Sequence, residues 1–326
     1  MWNNLCDVPG VLVGHATDEK DLTGCTAVLF DSPDGSGAGA VVGVDVGGSS
    51  PGTRETDLLN PTGRVDQTHA ILFTGGSAFG LAAANGVVSL LEERGVGYDV
   101  RFARIPIVPA AVVFDLALGD PSVRPGPEMG YEAASAAASG SFKQGTVGAG
   151  TGTTVGKVLG LERAMKGGLG SASVALPGGV VVAALAVVNA FGDVRDPSTG
   201  RIVAGPRLED GALADSVEHL LEAERFMRWG ENTTLGIVAT NARLSKPQVT
   251  KMAQMAQDGL ARTVSPVHTS VDGDVVFAAS VGGRASIVMA PDVVGAWAAR
   301  VTAEAVLRGV REARGVPGVP AASDLG

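Results

Sequence analysis

Residues 230–240 read Gly-Glu-Asn-Thr-Thr-Leu-Gly-Ile-Val-Ala-Thr, and their reading decides how the rest of the chain is understood. Residues 233–240 are rich in β-branched side chains and read as a strand. Gly230, Glu231 and Asn232 read as the loop that enters it. The strand therefore opens on a threonine hydroxyl. Such a hydroxyl can attack the peptide bond just upstream, and hydrolysis of the resulting ester would cut the chain between Asn232 and Thr233. Thr233 would then carry a free α-amine, whose ordinary pKa of about 7.7–8.0 lies far nearer neutrality than a lysine's. That amine can act as general base for its own hydroxyl. The same residues also suit an ordinary Thr-rich strand start, and spacing alone does not choose between the two.

Downstream, Ser245-Lys-Pro-Gln248 is a capping box with a proline inside, opening a helix to about Arg262. Residues 275–281 read as a strand, and Pro291 opens a last helix to about Arg314. The tail, 315–326, is rich in Pro, Gly and Ser and is expected to be loose. Upstream, residues 208–228 read as a charged amphipathic helix. Before it, 170–176 and 180–188 flank Pro177-Gly178-Gly179 and read as a hairpin. Residues 180–188 show no alternation, so both faces of that strand are expected to be buried. Earlier still, 130–138 reads as a short helix, and 100–113, interrupted by Pro106 and Pro109, as an edge or bulged strand. Ala70–Thr74 reads as a strand that stops at Gly75-Gly76, and 77–94 follows with helical spacing and Ser77 as N-cap. Two short glycine-bounded strands are expected at 23–31 and 38–46. With no linker, low-complexity block or long repeat, one domain spanning 1–326 is expected, of the α/β or α+β class.

Composition narrows the function. Of 326 residues 45% are hydrophobic and 18% charged, which excludes a disordered chain. The 47 glycines follow no G-X-Y period, which excludes collagen. A net charge of −9 argues against a general nucleic-acid binder. The longest apolar run, 180–188, falls short of the roughly 18 residues a membrane helix needs. With no secretory signal at the N-terminus, the expectation is a soluble, cytoplasmic protein with Cys6 and Cys25 as reduced core thiols. Several motifs fail. Gly152-Thr-Thr-Val-Gly156-Lys157 lacks the phosphate-loop pattern because Thr151 and Val158 stand at its ends. Gly75–Gly80 lacks the nucleophile elbow because Phe79 stands where glycine is required. His15, His69, His219 and His268 show no metal-ligand spacing, and no metal or cofactor is expected.

Beyond 230–240, the stretches that carry meaning in order are Asp7-Val-Pro-Gly-Val-Leu-Val-Gly-His15, Thr23–Phe30, Leu72-Phe-Thr-Gly-Gly-Ser-Ala-Phe-Gly80 and 145–157. Ala186-Val-Val-Asn-Ala-Phe-Gly-Asp-Val194, Asn232 to Ala242 and His268-Thr-Ser-Val-Asp-Gly-Asp274 follow. Together they resemble the P1-type peptidase family, the L-aminopeptidase/D-amidase/esterase and β-peptidyl aminopeptidase group that includes nylon-oligomer hydrolase. The resemblance implies a four-layer αββα sandwich of the N-terminal-nucleophile type. It implies self-cleavage into 1–232 and 233–326, with the fragments staying associated, and Thr233 as the nucleophile.

Other positions carry over by the same resemblance. Lys157 matches a lysine near the nucleophile, where a cation would hold the Thr233 amine neutral; it also suits an exposed loop. Asn189 matches an oxyanion-hole donor, or is a satisfied core amide. Asp272 and Asp274, two apart on one face of an extended chain, match a pair that would orient the Thr233 amine and hydroxyl; Asp-Gly-Asp also suits a hairpin turn. Phe114 stands where some members place a tyrosine whose hydroxyl supports the oxyanion, and would line the substrate pocket. The implied activity is hydrolysis of small peptides or amides with a free amino end, without cofactor or metal, by a homo-oligomer of cleaved heterodimers that meets neither nucleic acid nor membrane. Two alternatives stay open: acyl transfer of the ornithine acetyltransferase type, and an uncleaved binding protein without catalysis.

Overall fold

The computed structural model describes residues 1–31, 39–223, 232–281 and 287–325. Ten strands matter for the site. They are β1 (Val11–Asp18), β2 (Thr23–Phe30), β3 (Val41–Val46), β4 (Thr53–Arg54), β5 (Ala70–Thr74), β6 (Ala110–Val112), β7 (Gly168–Ala175), β8 (Val181–Asn189), β9 (Thr233–Thr240) and β10 (Val275–Ser280). They form two five-stranded sheets, ordered β1-β2-β5-β6-β4 and β7-β8-β9-β10-β3. Four helices cover them: α1 (Ala84–Glu93), α2 (Pro127–Ser135), α3 (Lys246–Thr263) and α4 (Pro291–Arg311).

Side-chain alternation divides the apolar residues among three interlayer spaces. In β8, Val182, Ala184, Ala186 and Val188 pack with Val249, Met252 and Leu260 of α3 and Val301 and Val306 of α4. The intervening Ala183, Leu185 and Val187 face the other sheet, meeting Val28, Ile71 and Phe73. The outer face of that sheet, with Ala27, Leu29 and Leu72, packs with Val87 and Leu90 of α1 and Ala133 of α2. Helix, sheet, sheet, helix is thus the order of layers, the one implied by the family resemblance. The unalternating run 180–188 is buried on both sides because each parity meets its own apolar layer.

Two glycine sites show why the chain needs so many. The β7–β8 turn, Pro177–Gly179, holds Gly178 and Gly179 at φ 77° and 80°, the left-handed region other residues avoid. Gly170 of β7 lies against α4, where an added Cβ would stand 2.1 Å from the Ala305 carbonyl oxygen.

Some expectations change. Residues 208–219 are not helical, and the short helix there is Leu220–Ala223; residues 224–228 lie outside the described residues. Asp210 and Asp215 accept from the N–H two residues on, at Ala212 (3.0 Å) and Val217 (2.9 Å), closing turns that compete with helix. Residues Ser77–Ala83 form a 3₁₀ helix before α1, and Gly76 rather than Ser77 occupies the N-cap, with no side-chain capping bond. The second short helix begins at Pro127, three residues before the expected Gly130, because proline suits a first helical turn. Within 100–113 only short strands form, Arg104–Ile105 and β6. Within the tail, Pro320 O accepts the Lys166 N–H (2.8 Å) and Val319 and Ala321 are buried, while residues 323–325 are exposed.

Candidate active site

Topology brings the sequence candidates together at one end of the second sheet. Thr233 opens β9, a central strand. On one side β8 runs antiparallel and pairs Asn189 with Thr233. On the other β10 runs parallel, pairing Leu235 with Val275, so residues 272–274 enter beside Asn232 and Thr233. The segment carrying Lys157 is tied to the end of β8 by Gly156 N to Gly192 O and Lys157 N to Phe191 O, both 2.9 Å.

Thr233 is 5% exposed, and its hydroxyl donates to the carbonyl oxygen of Asn232 at 2.5 Å. It therefore lies against the carbonyl that an N→O acyl shift would attack. The same carbonyl accepts the Gly273 N–H at 2.8 Å. Gly273 has no room for a side chain: a Cβ there would stand 2.8 Å from Thr233 Oγ1 and 2.5 Å from Ser50 O. Around this bond, Asn232 Oδ1 and Thr234 Oγ1 are buried without a hydrogen-bond partner among the described residues.

Asn189 is fully buried, with Oδ1 accepting Thr154 N–H and Lys157 Nζ, both at 3.0 Å. Its Nδ2 donates to the Phe114 carbonyl at 3.1 Å. Lys157 Nζ also donates to the carbonyls of Asn189 (3.0 Å) and Thr154 (3.1 Å). Phe114 thus meets the site through its backbone. It lines, with Asp115, Thr154, Lys157, Leu161 and Glu162, a cavity of about 220 Å³.

The two aspartates are buried, and each is fully engaged. Asp274 Oδ1 accepts the Thr234 N–H at 2.6 Å, one residue past the nucleophile candidate. Its Oδ2 accepts the His268 N–H (3.1 Å) and Nδ1 (2.8 Å). Asp272 Oδ2 accepts the Thr269 hydroxyl (2.5 Å) and N–H (3.1 Å), and Oδ1 the Phe191 N–H (3.3 Å). The Asp274 carboxylate bonds the backbone beside Thr233, at Thr234, whereas that of Asp272 bonds Phe191 and Thr269; the described hydroxyl contact of Thr233 goes to Asn232. Asp-Gly-Asp is no hairpin turn here but the entry to β10. Burial, then the neighbouring charge of Asp274, pushes Asp272 up to about 6. Burial alone would lower His268, but its bond to Asp274 and the charges of Asp274 and Asp272 hold it above the usual imidazole range.

Sequence reasoning missed three contributors. His268, at a left-handed φ of 56°, completes the Asp274 cluster, and Gly273 supplies the N–H on the Asn232 carbonyl. Both lie inside a quoted motif, but one is a histidine without metal spacing and the other acts through its backbone. Thr154, likewise, contributes only main-chain groups. Among the described residues there is no group of three or more His, Cys, Asp or Glu that could hold a metal ion, and no helix long and apolar enough to cross a membrane.

The pattern of peptidase family S58 matches residues 3–322. An uncharacterized aminopeptidase of Mycobacterium tuberculosis is 40% identical over 348 residues, covering 99% of this chain and 98% of its own. A 6-aminohexanoate-oligomer endohydrolase of Kocuria is 32% identical over 276 residues, covering 83% of this chain and 73% of its own. Among solved structures, a Burkholderia beta-aminopeptidase superposes with TM-score 0.73 at 23% identity, covering 100% of this chain and 92% of its own. The L-aminopeptidase D-Ala-esterase/amidase of Ochrobactrum anthropi, described as a variant of the Ntn hydrolase fold, gives TM-score 0.72 at 21% identity. It covers 98% of this chain and 89% of its own.

Proposed function

Because the chain belongs to peptidase family S58 and is an amide-bond hydrolase, we propose that Thr233 is its nucleophile, freed by self-cleavage of the Asn232–Thr233 bond. The observation that carries this reading is the Asn232 carbonyl, held between the Thr233 hydroxyl (2.5 Å) and the Gly273 N–H (2.8 Å). Attack by Oγ1 on that carbonyl carbon puts negative charge on the oxygen, which Gly273 N–H stabilises. Collapse breaks the C–N bond and gives the proton to the departing nitrogen. The result is an ester between Asn232 and the Thr233 hydroxyl. Water then hydrolyses the ester, leaving a carboxylate on Asn232 and a free amine on Thr233.

The freed amine takes the proton of its own hydroxyl as Oγ1 attacks a substrate amide. Lys157 favours the neutral amine through its positive charge. Asn189 Nδ2, on the residue paired with Thr233, donates to the tetrahedral oxyanion. The leaving amine departs with a proton, and water releases the acid from the acyl-enzyme. Asp274 holds the backbone just past the nucleophile at Thr234, and Asp272 holds the neighbouring Phe191 and Thr269. The cavity beside Lys157, about 220 Å³, suits the small acyl groups of amino-acid amides and short peptides or oligomers. The relatives named aminopeptidase and 6-aminohexanoate-oligomer endohydrolase point to the same substrate class. A soluble cytoplasmic homo-oligomer of cleaved heterodimers completes the proposal.

The test compares wild type, Thr233→Ser and Thr233→Ala on a panel of amino-acyl p-nitroanilides. Ser retains processing and measurable hydrolysis; Ala loses both. Hydrolysis by a folded Thr233→Ala protein at the wild-type rate overturns the assignment.

A further inference from the structure

Asn189 can serve as a donor only when its side-chain amide is turned the right way, since its oxygen and nitrogen ends have nearly the same shape. Lys157 Nζ, donating to Oδ1 at 3.0 Å, and two peptide planes set the turn. The 153–154 peptide presents the Thr154 N–H to Oδ1 at 3.0 Å, and the Phe114 carbonyl accepts Nδ2 at 3.1 Å. A buried ionisable group stands behind each plane. Lys166 Nζ donates at 2.7 Å to the Thr153 carbonyl, which belongs to the same peptide as the Thr154 N–H. It donates also to the Thr151 carbonyl at 2.9 Å. Asp115, directly after Phe114, accepts the Thr23 hydroxyl and the Gly76 N–H, both at 2.7 Å. Between them lies Gly152, where a Cβ would stand 2.6 Å from Asp115 Cβ.

Lys166 is fully buried, and burial pushes its ammonium down to about 7 against the opposing charge of Asp115. Burial raises the Asp115 carboxyl, while its hydrogen bonds and the Lys166 charge pull it the other way. Burying an ammonium and a carboxyl is costly beside apolar side chains of similar volume, so packing alone does not account for them here. An ammonium on a peptide carbonyl polarises that peptide and strengthens the N–H on its far side.

We propose that Lys166 and Asp115 are positioning residues that fix the Asn189 amide through these two peptide planes. The proposal rests on Asn189 being the oxyanion donor. It places neither side chain in contact with substrate.

A double-mutant cycle on the full-length protein tests it, with kcat and KM measured on an amino-acyl p-nitroanilide that the wild type cleaves. Lys166→Met is expected to lower kcat about 10–100-fold while KM changes less than about twofold. In an Asn189→Ala background it is expected to lower kcat no further. Equal losses in both backgrounds, or no loss in the wild-type background, overturn the proposal and leave the assignment of Asn189 intact. An Asn189→Ala protein with unchanged kcat overturns that assignment, and this proposal with it. Should Lys166→Met not fold, Asp115→Asn carries the same cycle from the Phe114 side, with the same two outcomes.

Discussion

At the scale of single residues, the site works by what each atom can donate or accept. Gly273 is the sharpest case. Its N–H meets the Asn232 carbonyl, and it has no space for a methyl group. Gly273→Ala should therefore slow self-cleavage by at least about tenfold, read as precursor remaining on a denaturing gel over time. Processing at the wild-type rate would remove Gly273 from the mechanism. Asn189→Ala should process and then hydrolyse with kcat reduced about 100–1,000-fold, the usual cost of one oxyanion donor. Asp272 sets a pH limb. Its carboxyl is held near pH 6 instead of 3.8, so it is ionised above about 6 and protonated below. Protonation weakens its hold on Phe191 N–H and Thr269 N–H. The self-cleavage rate should thus fall as pH drops through about 6, before any Thr233 amine exists to titrate. Asp272→Asn should lack that limb; a limb unchanged in this variant would assign it elsewhere.

At the scale of elements, β9 carries most of the design. It is the strand between β8 and β10, so its first residue has a neighbour from each. Strand 233–240 was legible from its β-branched residues, and 180–188 from its lack of alternation. The meeting of Thr233 with Asn189 was implied only by the family resemblance, because register across strands is a property of the sheet and leaves no mark in either segment. Residues 208–219, expected as part of a helix, were misread because charged residues at helical spacing also fit a chain of aspartate-capped turns. Gly273 escaped for another reason, because a backbone N–H looks the same at every residue, and His268 because its ring acts without any metal-ligand spacing. The packing of β8 gives its own prediction. Leu185 is fully buried between the sheets, and Leu185→Ala should cost about 2–5 kcal/mol in chemical denaturation. A loss well under 1 kcal/mol would mean that the two sheets do not share that layer.

At the scale of the whole molecule, the proposed cut at 232–233 divides the chain but not the core. Residues after the cut supply β9, β10, α3 and α4; residues before it supply β7, β8 and β3, which flank them in the same sheet. The two parts share one apolar layer on each face of that sheet. Their separation would expose both layers, so the fragments should co-elute in native gel filtration and part only in denaturant. The proposed self-cleavage would leave the Thr233 amine at the start of β9, inside the sheet. Intact-mass measurement with N-terminal sequencing of the purified protein tests it most directly. Two fragments are predicted, the smaller beginning Thr233-Thr234-Leu235. A chain that stays whole at 32.7 kDa through long incubation while still hydrolysing amides would rule out Thr233 as a freed N-terminal nucleophile.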